Sequence, residues 1–155
     1  MVINNKFVLN SVVFCGLLFA GLAQAQPPTG PMSFFITSQG SGNGGDLGGL
    51  AGADEICQNL AESADQGHLT WHAYLSTQGD NTVNARDRIG PGPWFNANGY
   101  RVGADLETLH NLMHRMSIIK ALDELGRGIP GTDSVPNRHD ILTGSTAEGM
   151  AYPPG

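Results

Sequence analysis

The stretch DLGGLAGADEICQNLAESADQGHLTWHAYLST, residues 46–77, carries the strongest fold signal in the chain, because its hydrophobic period changes from helical to extended within a few residues. Leu50, Ala53, Ile56, Cys57, Leu60, Ala61 and Ala64 recur at i, i+3, i+4, the spacing that gathers apolar side chains on one face of a helix. Asp54, Glu55, Gln58 and Glu62 fall on the opposite face, which reads as the outer one, and Cys57 faces the core. Gly67, just past Ala64 and Asp65, is placed to terminate the helix. From Leu69 the period becomes two. Leu69, Trp71, Ala73, Leu75 and Thr77 alternate with Thr70, His72, Tyr74 and Ser76, which predicts a strand with one buried face.

Upstream of this stretch, Met32 to Ser38 is short, aromatic and β-branched, and predicts a largely buried strand. The glycine burst from Gly40 to Asp46 must be a loop, since glycine loses the most backbone entropy in any regular element. Gly40, Gly42 and Gly45 match G-x-G-x-x-G. A pyrophosphate site is rejected because no second strand carries the acidic ribose ligand about 20 residues on. Downstream, Gly90-Pro91-Gly92-Pro93 predicts an ordered loop closing on Trp94, Phe95 and Asn96. Leu106, Leu109, Leu112, Met113, Met116, Ile119 and Leu122 have helix-compatible spacing, so Asp105 to Leu125 is expected to form one helix or two, with Asp105 suiting the positive N-terminal end.

The first 25 residues read as a secretory signal. Lys6 gives a positive start, Phe7 to Leu22 is largely apolar, and Ala23-Gln24-Ala25 offers small residues for cleavage. Asn10 and Ser11 interrupt the run, leaving it short of the roughly 20 apolar residues that span a bilayer. Cys15 is expected to leave with the signal. Residues 26–31, with Pro27, Pro28 and Pro31, form an extended lead, and 32–155 suit one domain.

Across the whole chain 8 Lys and Arg face 14 Asp and Glu, and removing Lys6 makes the remainder more acidic still. That balance argues against a nucleic-acid partner, and with Lys120 the one lysine left no polybasic membrane patch can form. An exported domain usually pairs its cysteines, yet Cys57 stands alone after residue 25, so it reads as a small buried apolar residue or as a cysteine whose partner lies elsewhere.

Three constellations bear on chemistry. Glu107, His110 and His114 lie at i, i+3 and i+7, so on one helix they offer a carboxylate and two imidazoles to a metal; this is a weak candidate site for a metal-dependent hydrolase, without the H-E-x-x-H pattern. The G-x-S-x-G elbow is also missing, and His139-Asp140 reads as part of a turn. Trp71, Tyr74, Trp94 and Tyr100 are rings that can stack on a sugar, and Asp87, Asn96, Asn98 and Asp140 can bond its hydroxyls, although buried tryptophans more often anchor a core.

Five blocks then resemble one family: Phe34 to Ser38, Asp46 to Asp54 with Cys57, Thr70 to Thr77, Asn84 to Asn96, and Asn137 to Ser145 are similar to secreted bacterial lectin-like proteins. The resemblance implies an α+β, C-type-lectin-like fold related to the endostatin domain, with two helices around small twisted antiparallel sheets. It also implies a second half containing Trp and Cys beyond the Thr-Gly-Ser block, holding the partner of Cys57, so that 32–155 would be the N-terminal portion of the domain. Neither the Glu-Pro-Asn or Gln-Pro-Asp triplet nor Trp-Asn-Asp occurs, so calcium-dependent sugar binding is not expected. The expectation is a secreted or periplasmic, non-enzymatic binding module without cofactor. Its ligand would be a glycan or an extracellular protein surface, held by Asp87, Trp94, Asn96, Asn98 and Asp140. The alternatives are the metal-dependent hydrolase and a truncated structural remnant that binds nothing.

Overall fold

The computed structural model describes residues 29–111, 119–138 and 140–153; the expected signal 1–25, the start of the proline-rich lead, His114 and His139 lie outside them. The apolar period at 50–64 produces helix α1, Gly49–Ser63. In front of it the Asp46 carboxylate accepts from the Gly48 amide at 3.0 Å, and Gly48 turns the chain in with φ 72°. At its far end the Gln66 amide donates back to the Ala61 carbonyl and the Asp65 amide to that of Glu62, the paired closure of a Schellman motif. The left-handed residue in that motif is Asp65, at φ 60°, and not Gly67. Aspartate tolerates this conformation because its short side chain can bond locally. Gly67 instead lies against Glu62, leaving no room for a Cβ.

The inner face of α1 buries Ala53 and Ala61 and sets Ala61 and half-buried Cys57 against Met32 and Trp71. Phe35 meets Trp71 edge-on with ring centroids 4.8 Å apart. The face read as outer has a different task. Gln58 accepts from the Trp71 amide and donates to the Gly67 carbonyl, while Asp54 accepts from the Ala73 amide at 2.8 Å. Residues 69–77 are therefore extended but form no ladder through 71–75, and only Thr77 makes a bridge, to Val83. Side chains of a helix have taken the place of a neighbouring strand, and the expected alternation gives way: Trp71 and Ser76 are buried while Leu69 is 39% exposed.

The sheet is two-stranded and antiparallel. Strand β1 is Trp94–Phe95 and β2 is Arg101–Gly103, with Trp94 opposite Gly103 and Phe95 opposite Arg101. Trp94 and Phe95, expected to end a loop, thus form an edge of regular structure. The expected strand 32–38 is extended without being a ladder strand: the Ser33 and Phe34 amides share the Phe95 carbonyl, Ile36 donates to Leu122, and Ser38 to the Glu124 carboxylate.

Helix α2 is short, Leu106–His110, capped by the Asp105 carboxylate, which accepts from the Thr108 amide at 2.7 Å. The helix expected as far as Leu125 does not extend there. Residues 119–128 make a tight return with Leu122 bridged to Gly128, because the buried Asp123 carboxylate accepts from the amides of Leu125 and Arg127 and from Arg127 Nε. Among the described residues, two helices, a 3-10 turn at Ala85–Asp87 and the two-stranded sheet make this a small mixed α+β protein. Among the described residues no helix is long and apolar enough to cross a membrane.

Residues 145–151 form a final hairpin, Ser145 bridged to Ala151, clipped down where the Arg86 amide donates to the Gly149 carbonyl. Gly149 is buried at φ 75°, and a Cβ there would crowd His110 Nε2, Arg86 and Tyr74 Oη, the last at 2.6 Å. Gly149→Ala is expected to destabilise the fold by about 2–4 kcal/mol, combining overpacking with left-handed strain, as read from the urea midpoint.

Candidate functional site

The apolar face of α1, the segment 33–40, extended as far as Thr37, the extended segment 70–75, β1, α2 and residues 141–143 do not close on one another. Between them lies a cleft of about 500 Å³ walled by Phe35, Ile56, Leu75, Trp94 and Leu109, with the exposed Ile141 and Leu142 on its lip. The size suits a small ligand or a few side chains. The cleft exists because its walls come from segments whose backbones are held by side chains from elsewhere, so they can stand apart.

Polar side chains also line the cleft, among them Ser33, Thr37, Gln39, Thr70, His72 and Thr143, and Arg88, Tyr74 and His110 are engaged with protein partners. Arg88 donates to the Asp54 carboxylate at 2.6 Å and to the Ala73 carbonyl at 2.5 Å. Burial alone pushes the Asp54 carboxyl up, but hydrogen bonds from Arg88, the Ala73 amide and His72, with the charge of Arg88, outweigh it and hold the group below its usual range. Tyr74 and His110 stack with centroids 5.9 Å apart and join Oη to Nε2 at 2.8 Å. His110 Nδ1 lies 2.7 Å from the Leu106 carbonyl, which can only accept, so a neutral His110 carries its proton there and Tyr74 donates to Nε2. Burial raises the Tyr74 hydroxyl above its ordinary value, against the nearby charge of Arg86.

Cys57 also lines the cleft. Burial, and then the charge of Asp54, push its thiol up to about 11, against the opposing pull of Arg88. The thiolate is the reactive form. At pH 8, iodoacetamide is therefore expected to label Cys57 on the order of tenfold more slowly in the folded protein than in urea, as read by peptide mass spectrometry.

The residues expected to hold a ligand are not brought together. Trp94 is buried, its indole N–H donating to the Ile89 carbonyl at 3.2 Å, and only its ring reaches the cleft. Asn96 is 0% exposed: its NH2 donates to the Ile119 and Lys120 carbonyls and its oxygen accepts from the Asn98 and Tyr100 amides. Its amide is committed to the backbone, which withdraws it from any surface site. Asn98 is exposed beside it, and Asp87 is exposed and accepts from Asn84. Asp140 is exposed on a second hollow of about 810 Å³ that also contains Arg127 and Arg138.

Trp71 is a core residue, bonded to the Gln66 carbonyl, and Tyr100 is exposed. Of the metal candidates, Glu107 is exposed on α2, His110 has both ring nitrogens in the contacts above, and His114 lies outside the described residues. Among the described residues no group of three or more His, Cys, Asp or Glu is arranged to hold a metal ion.

Phe35, Ile56, Leu75, Arg88, Leu109, Ile141 and Leu142 were not legible as site residues, since nothing local in the sequence marks six distant segments as sharing one cavity. The fold and site define a small α+β protein built around an open apolar cleft. No protein family, curated protein or solved structure matches the chain.

Proposed function

We propose that the chain is an exported, non-enzymatic binding module of C-type-lectin-like type, and that its cleft receives an apolar group presented by an extracellular protein. The observation that carries this reading is the character of the cleft: its large side chains, Phe35, Ile56, Leu75, Trp94 and Leu109, are apolar, its charged Arg88 and its Tyr74–His110 pair are bonded to protein partners, and its other polar side chains, such as Thr37 and Thr70, are short and scattered. A sugar needs several free donors and acceptors around its hydroxyls, whereas an aliphatic side chain needs only apolar wall. The same contrast favours a protein surface over a glycan.

Titration of isotope-labelled protein with N-acetyl-leucine amide, beside methyl glucoside and methyl mannoside, tests this. Resonances of Ile56, Leu75 and Leu109 are expected to shift with the leucine derivative and not with the sugars. Saturable shifts produced only by a glycoside, around Asn98 and Tyr100, would replace the reading with sugar binding.

A further inference from the structure

We infer that the edge Phe35–Thr37 is a strand-acceptor site: an extended segment of another polypeptide adds to it by backbone hydrogen bonds and sends alternate apolar side chains into the cleft. The inference rests on the reading of the cleft as the binding site and specifies how the ligand is held.

Its basis is the hydrogen bonding of one segment. After Ser33, whose amide shares the Phe95 carbonyl with that of Phe34, the N–H groups alternate: those of Phe34, Ile36 and Ser38 go to one side, to the Phe95 carbonyl, the Leu122 carbonyl and the Glu124 carboxylate. In an extended chain successive N–H groups point to opposite edges. Those of Phe35 and Thr37, the intervening residues, therefore face the other way, and neither makes a backbone hydrogen bond among the described residues. Both residues line the cleft. One edge of this segment is used, the other makes no backbone hydrogen bond among the described residues, and the whole segment from Ser33 to Thr37 borders the cleft.

An open row of backbone donors and acceptors is a template for another strand, and proteins that avoid such pairing interrupt the edge with lysine, proline or an inward charge. Met32-Ser33-Phe34-Phe35-Ile36-Thr37-Ser38 contains none of these. The open groups repeat every second residue, about 6.6 Å apart at the rise of a strand, a spacing that a peptide backbone reproduces and a lipid chain or a sugar ring does not. The hollow beside Arg127 and Arg138 shares Ile36, Thr37, Leu47, Ile141 and Leu142 with the cleft, so the two cavities adjoin where the chain bends at Ser38 and Gln39. The extended edge from Phe35 to Thr37 spans roughly 7 Å, enough for about three residues of added strand. Backbone pairing then supplies affinity while the cleft selects alternate side chains, as in other cases of strand addition.

The probe is the blocked hexapeptide acetyl-Thr-Val-Thr-Val-Thr-Lys-amide, set against the same sequence N-methylated at every residue, which keeps the side chains and removes the donors. The unmodified peptide is expected to bind about tenfold more tightly or better than the methylated one, and to slow amide exchange at Phe35 and Thr37 by a similar factor. Equal binding of the two peptides, or binding without protection of those amides, overturns the strand-acceptor site. If N-acetyl-leucine amide shifts the cleft while the hexapeptide does not bind, the strand site falls and the cleft reading stands. If neither binds, both fall.

Discussion

Asn96→Ala is expected to cost about 3–5 kcal/mol of unfolding free energy, a large share of the roughly 5–15 kcal/mol that a domain of this size has in total. Asn96 is wholly enclosed, and its single amide serves two pieces of chain. Its NH2 donates to the carbonyls of Ile119 at 2.9 Å and Lys120 at 3.3 Å, and its oxygen accepts from the amides of Asn98 at 3.1 Å and Tyr100 at 3.0 Å. The oxygen closes the turn between β1 and β2, and the nitrogen ties that turn to the return at 119–128. Truncation leaves four backbone groups without their partner, each of which loses about 1–3 kcal/mol where water cannot reach it. Urea unfolding followed by the fluorescence of buried Trp71 and Trp94 measures the loss. Asn96→Asp separates the two halves of the amide. It keeps the acceptor and aims a carboxylate at two carbonyls, so it is expected to be as damaging near neutral pH and to recover in part on acidification, when the protonated acid regains one donor.

Asp54→Ala is the second large effect, expected to cost about 2–4 kcal/mol, because it removes the joint between α1, the segment at Ala73 and the loop carrying Arg88. The Arg88 guanidinium is left largely buried without its carboxylate, its remaining bond going to the Ala73 carbonyl. The pH dependence has a definite sign. Asp54 is held below 3.8, so its contribution is fully present above that value and is lost as pH falls through the lower folded value. The stability gap between the native protein and Asp54→Asn should hold steady from pH 7 to about 5 and narrow below pH 4, as followed by urea midpoints across that range. A gap that widened on acidification would mean that the carboxylate is not stabilised by these partners.

Both sites show where reading a sequence stops. Helix α1 was legible because its signal is local: seven apolar residues at helical spacing announce one buried face whatever else the chain does. The loop at 40–46 was legible for the same reason. Asp54 and Gln58 looked like solvent-facing residues because their partners, Ala73 and Trp71, sit 19 and 13 residues away and are backbone amides, which no side-chain period records. Residues 119–125 kept helical spacing although the chain turns there, because buried Asp123 and Asn96 outweigh a weak periodic preference. Asn96 itself illustrates the ambiguity of polar residues: an amide near aromatic rings reads equally well as a ligand contact or as a structural tie, and burial decides between them. Of the cleft, Trp71, Tyr74 and Trp94 stood out beforehand as rings, His110 as a metal candidate and Cys57 as an unpaired thiol, none of them as walls of a cavity.

The most direct test of the cleft as the binding site is to fill it without loosening the fold. Ala73 lines the cleft, and its backbone, not its methyl group, makes the bonds to Asp54 and Arg88. Ala73→Phe should therefore leave the urea midpoint unchanged or raise it, while weakening the binding of N-acetyl-leucine amide by about tenfold or more. A variant that stays folded and binds the leucine derivative as tightly as the native protein would contradict the account.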